Sequence, residues 1–95
     1  MHNNLTKISS KIGEKVRFSL PSNAMSGYSW WVKYDTLGVK FLFTKTVPGK
    51  NTGEDGIQKF TFIPLNRGTV VVQFFLKRPW EDINVEEHEL HIEVL

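Results

Sequence analysis

The chain has 95 residues, 40% hydrophobic, 13% aromatic and 23% charged, with 12 Lys+Arg against 10 Asp+Glu for a net charge of +2. That is one domain's worth of chain, 1–95, too aromatic for a disordered segment and too nearly neutral to point to a polyanion partner. The absence of cysteine excludes a disulfide framework, a thiolate metal centre and a cysteine nucleophile. Folding is expected to bury roughly 65% of the unfolded surface, so stability rests on a thin apolar core.

The start of the chain lacks the basic residues and apolar stretch of a secretory signal. The longest apolar runs, 41–43 and 70–72, fall far short of the roughly 20 residues that span a bilayer. A cytoplasmic protein without a membrane partner is expected, or a secretory or lysosomal one if the start has been trimmed. Along the chain the dominant period is two. Residues 6–9 are a weak strand candidate. Residues 16–20 alternate apolar and polar until Pro21, Ser22 and Asn23 stop them. Residues 28–34 and 39–46 are aromatic and β-branched, and 59–63 alternate through Phe60 and Phe62 before a turn at 64–68. Residues 69–77 are dense in Val and Phe, and 87–95 alternate with Leu90, Ile92 and Val94 on one side. About seven short strands separated by turn chemistry predict a β-sandwich, whose sheets pack about 10 Å apart.

Two connections differ from the short turns. Residues 49–56 are long, polar and glycine-rich, and 78–84 place Trp80 in an otherwise polar stretch. Loops this long in a compact domain tend to be functional. Trp80, between Pro79 and Glu81, is hard to bury there and suits a grip on a partner. Arg78 beside it is placed to stack or to pair. Trp30 and Trp31 are adjacent, so one points into the core and the other outward.

Catalytic signatures are missing. No nucleophile elbow, phosphate loop or zinc helix occurs, and Asp35, Asp55 and Asp82 fall on separate loops. His88 and His91 lie three apart on a strand, hence on opposite faces, which predicts a solvated edge strand and no metal site. Lys40, Lys45, Lys50 and Lys59 are scattered and interleaved with acids, so no nucleic-acid partner is expected. The sequence reads as a non-enzyme without cofactors.

Three segments together resemble the chagasin-like inhibitors of papain-family cysteine proteases. That family carries Asn-Pro-Thr-Thr-Gly followed by an aromatic and a tryptophan; here Asn23-Ala24-Met25-Ser26-Gly27 leads into Tyr28-Ser29-Trp30. A glycine-rich loop before a Phe-bearing strand is matched by Gly53-Glu54-Asp55-Gly56 ahead of Phe60, and the Arg-Pro-Trp loop by Arg78-Pro79-Trp80. The opening Gly13-Glu14-Lys15-Val16 and the closing Leu90-His91-Ile92-Glu93-Val94 also follow the family, so the likeness covers nearly the whole chain. Ala24 stands where the family has Pro, Met25 and Ser26 where it has Thr, and Glu54 and Asp55 add acids to the second loop.

The resemblance implies an immunoglobulin-like β-sandwich of about seven or eight strands, monomeric when free, with the three loops at one end. It implies reversible, tight inhibition of a papain-like cysteine protease by occlusion of its active-site cleft. The loop 23–27 would meet the catalytic cysteine–histidine pair, Asn23 holding the loop and Gly27 allowing close approach. The other two loops would straddle it, with Trp80 as anchor and Arg78 as its companion. The alternative is an immunoglobulin-like adhesion or carbohydrate-binding module, with Trp80 and Tyr28 stacking on sugar.

Overall fold

The computed structural model describes residues 4–22, 27–51 and 54–95. The period-two segments form β1 (Asn4–Ser10), β2 (Val16–Ser22), β3 (Ser29–Lys33), β4 (Val39–Val47), β5 (Gly56–Pro64), β6 (Gly68–Lys77) and β7 (Glu86–Val94). They make two sheets, ordered β1-β7-β6-β3 and β2-β5-β4, and no helix occurs among the described residues. Every neighbouring pair is antiparallel except β1, which runs parallel to β7. This is the all-β sandwich that the alternation predicts.

The inward positions of both sheets meet in one core of Val16, Leu20, Trp30, Val39, Phe60, Phe62, Val70, Val72, Phe74, Leu90, Ile92 and Val94. Aromatic rings carry the contact between the sheets. Phe74 meets Phe60 edge-to-face at 4.9 Å between centroids and Phe18, tilted, at 5.3 Å, while within the three-stranded sheet Phe41 meets Phe62 at 5.2 Å. Each such pair contributes about 0.5–1.5 kcal/mol beyond the burial of its area. Trp30 is buried at 6% exposure and Trp31 stands outward at 43%, as their adjacency requires.

Four details depart from the sequence reading. β2 does not stop at Pro21 but runs through it to Ser22. It is an edge strand, where a missing N–H is tolerated, and the Pro21 carbonyl accepts a bond from the Trp30 indole at 2.8 Å. Pro64 closes β5 instead of opening the turn, and its carbonyl accepts the Gly13 N–H at 3.0 Å. β7 is no edge strand: it lies between β1 and β6. Finally, β4 bulges between Phe41 and Phe43. The extra residue, Leu42, shifts the alternation by one, so Phe41 faces the core while Phe43 is 54% exposed on the outer face.

His88 and His91 do point to opposite sides of β7. His91 pairs with Glu89 on the outside at 3.1 Å. His88 turns inward, its ring 5.3 Å from Phe18, its Nε2 2.9 Å from the Thr6 hydroxyl on β1. Burial holds the His88 imidazole below its usual value of 6.5, with the Glu86 carboxylate opposing part of the shift.

Truncating Trp30 to Ala is expected to cost about 3–5 kcal/mol, as for other buried aromatics. The same change at Trp31 costs under about 1 kcal/mol, and denaturant unfolding of the two variants checks the difference. A second expectation concerns pH. The unfolded chain takes up a proton at His88 before the folded one does, so this group leaves stability unchanged above about 6.5 and lowers it as pH falls below that value. The melting temperature of His88→Gln should therefore fall less than that of the parent between about pH 7.5 and 5.5. Identical slopes would mean that His88 carries none of the pH dependence.

Candidate functional site

The loops joining β2 to β3, β4 to β5 and β6 to β7 leave the sandwich at the same end. Register requires it, because Ser22 pairs with Gly56, Val47 with Ile57, Ser29 with Lys77 and Leu76 with Glu86. The two sheets are tied together directly beneath these loops. Gln58 of β5 is buried at 4% exposure, and its carboxamide bonds across to β3. Its Oε1 accepts the Trp30 N–H at 2.9 Å, and its Nε2 donates to the Trp30 carbonyl at 3.1 Å and the Thr44 hydroxyl at 3.2 Å. β3 is the edge of its sheet, and the side chain of Gln58 supplies the partner that a further strand would have offered. A buried backbone amide or carbonyl left unpaired costs about 1–3 kcal/mol.

Above that tie, the first and third loops interlock. Gly27 has φ +83°, and a Cβ placed there would sit 3.1 Å from Cη2 of Trp80 and 4.0 Å from Cγ of Arg78. Only glycine accepts both that conformation and that closeness. The Arg78 guanidinium lies 4.4 Å from the Tyr28 ring centroid and 5.9 Å from that of Trp80. It also pairs with Glu81 at 3.1 Å, while the Glu81 N–H donates to the Arg78 carbonyl and closes a turn. Half-exposed ion pairs add about 0–1 kcal/mol; the value of this one is geometric, since it aims a planar cation between two rings. Nε of Arg78 is buried with no hydrogen-bond partner among the described residues. Trp80 nevertheless stays 71% exposed. An indole held in place yet left in water is the mark of a contact surface.

The second loop is tight at its base. A Cβ on Gly49 would meet the Glu54 carbonyl, and one on Gly56 the Val47 carbonyl, at distances no side chain tolerates. The Glu54 carboxylate accepts from the Asn51 side-chain amide at 2.6 Å, and the Glu54 N–H donates to the Asn51 carbonyl.

The structure thus brings Gly27, Tyr28, Arg78 and Trp80 into one cluster with Pro79 exposed beside it. Glu54 and Asp55 lie on the neighbouring loop, and Gly56 begins β5. Asn23, Ala24, Met25, Ser26 and Gly53 lie outside the described residues. Arg78 stacks and pairs within its own molecule. Sequence reasoning missed Gln58, Glu81 and Ile83, the last 69% exposed on the third loop. Gln58 was visible in principle, as a polar residue at an inward position of an alternating strand. What the tip offers is shape, with the carboxylates of Glu54, Asp55, Glu81 and Asp82 outnumbering Lys50 and Arg78.

Comparison with known proteins agrees with this fold. The family model of the chagasin family peptidase inhibitors, I42, matches residues 9–94. The cysteine protease inhibitor EhICP2 from Entamoeba histolytica superposes with a TM-score of 0.79 at 19% identity, over 98% of this chain and 88% of that one. Amebosin superposes with a TM-score of 0.74 at 24% identity, over 98% of this chain and 91% of the other. No curated protein matches the sequence.

Gly27→Ala must both adopt a left-handed conformation and push the Trp80 ring aside. The expected loss is about 1–2 kcal/mol of stability, with a shifted Trp80 indole N–H resonance in the NMR spectrum. An unmoved resonance and an unchanged melting temperature would mean that the two loops are not interlocked.

Proposed function

This chain belongs to the chagasin family of peptidase inhibitors, and on that premise we propose that its three-loop end enters and blocks the active-site cleft of a papain-like cysteine protease. The observation that carries the reading is Trp80, seated against Gly27 and Arg78 and yet largely exposed. Ordering a floppy loop during association costs affinity, and a side chain already fixed in its bound geometry avoids that cost. The loop around Asn23, Ala24, Met25 and Ser26 occupies the centre, against the catalytic cysteine and histidine. The loops around Gly53, Glu54 and Asp55 and around Arg78, Pro79 and Trp80 flank it. Inhibition is by occlusion, with no bond made or broken. Met25 brings a pliable thioether to an apolar subsite, which suits several related enzymes.

Titration into papain turning over a fluorogenic peptide tests this. Stoichiometric, reversible loss of rate with the inhibitor recovered intact is expected; rapid cleavage within residues 23–27 would make the chain a substrate. Trp80→Ala should weaken inhibition by about 2 kcal/mol or more while the melting temperature hardly moves. Met25→Asp should abolish inhibition by carrying an unpaired charge into the cleft. If the folded Met25→Asp protein inhibits like the parent, this loop does not enter the cleft.

A further inference from the structure

The lysines that look scattered along the chain converge once the strands pair. On the outer face of the three-stranded sheet, Arg17 of β2 lies in register with Thr61 of β5 and Phe43 of β4. One step along, Ser19, Lys59 and Lys45 form a row, and in the opposite direction Lys40 lies beside Ile63. The bulge at Leu42 makes this possible. Lys40 and Lys45 are five apart and would face opposite ways on a regular strand, but the shifted alternation turns both outward. No acidic residue shares the face, whose remaining outward positions are Ser19, Pro21, Phe43, Val47, Ile57, Thr61 and Ile63. The opposite sheet differs: its outer face mixes Glu87, Glu89 and Glu93 with Lys7, Lys33 and Lys77.

Such a face is unfavourable for folding alone. Lys45 stands directly opposite Lys59, and like charges in that relation destabilise a sheet. Protection of an exposed edge accounts for a lysine on β4 but not for one on the central strand β5. Among the cations, Phe43 and Ile57 are left 54% and 44% exposed. We propose that this sheet face is a docking surface for an anionic lipid bilayer, its cations meeting headgroup phosphates and carboxylates while Phe43 and Ile57 enter the headgroup boundary. The pattern favours a bilayer over a linear polyanion. Its charges spread over three strands instead of following one line, and Ile57 has nothing to stack on in a nucleic acid. The face is the flank of the sandwich, and it reaches the tip at Pro21, Val47 and Ile57.

Co-sedimentation with vesicles tests the proposal. The full chain is expected to bind phosphatidylcholine vesicles containing about one part in four phosphatidylserine, to ignore phosphatidylcholine alone, and to dissociate as salt rises. Lys45→Glu/Lys59→Glu should lower the partition coefficient about twentyfold or more, each lysine near such a surface being worth about fivefold. Lys7→Glu/Lys33→Glu, with the same net charge change on the other face, should retain most of it. Lys45→Glu alone places a carboxylate opposite Lys59, so it should melt no lower than the parent, and its lipid affinity should still drop. Equal losses in the two double variants would reduce the effect to net charge and overturn the proposal. So would the absence of vesicle binding, or tighter binding to single-stranded RNA with the same dependence on Lys45 and Lys59.

Discussion

The three-loop end depends on a polar tie between the two sheets, the carboxamide of Gln58. β3 is a short edge strand, and its Trp30 N–H and carbonyl face away from β6 into the sandwich. Buried backbone groups must be paired, and Gln58 pairs both while remaining part of β5 in the other sheet. Apolar contacts set how far apart the sheets lie, but they are non-directional and permit sliding. Two hydrogen bonds to one residue do not. They fix where β3 begins relative to β5, and so fix the take-off points of the first and second loops.

Everything above that tie inherits its position. The Trp30 indole reaches the carbonyl of Pro21, holding the end of β2 against β3. The first loop is therefore anchored on both sides before Gly27 brings the chain against Trp80. Arg78 then links the first loop to the third through Tyr28, and Glu81 holds the guanidinium by its Nη1. Individually these contacts are worth about a kilocalorie or less. Their effect lies in convergence: several weak constraints act on one end of a β-sandwich and seat a surface aromatic against Gly27 and Arg78. An inhibitor that works by shape needs that more than it needs any one strong bond.

The strands were legible because period-two alternation reports a half-buried sheet directly, as in 87–95 and 59–63. Trp80 was legible because a polar loop offers an indole little apolar surface to hide against. The order of three short motifs identified the family where no single one would. What escaped was set by pairing, which a linear pattern does not contain. The bulge at Leu42 reverses the alternation in mid-strand, so Phe43 looks like a core residue until its partner, Thr61, is known. Pro21 and Pro64 read as breakers because a strand's place at the edge or end of its sheet is a tertiary fact. The lysines on β4 and β5 and Arg17 on β2 are neighbours only through register. Gln58 stood at an inward position with its partner 28 residues away.

The central role of the Gln58 tie is tested most directly by the inhibition constant of Gln58→Met against papain, measured well below the melting temperature of the variant. Methionine keeps the length and fills the space of glutamine but pairs with neither backbone group of Trp30. A folded variant that inhibits about tenfold or more weakly than the parent, through a less ordered tip, is the predicted result. An inhibition constant equal to that of the parent, with the fold intact by circular dichroism, would show that the loops hold their geometry without the tie between the sheets.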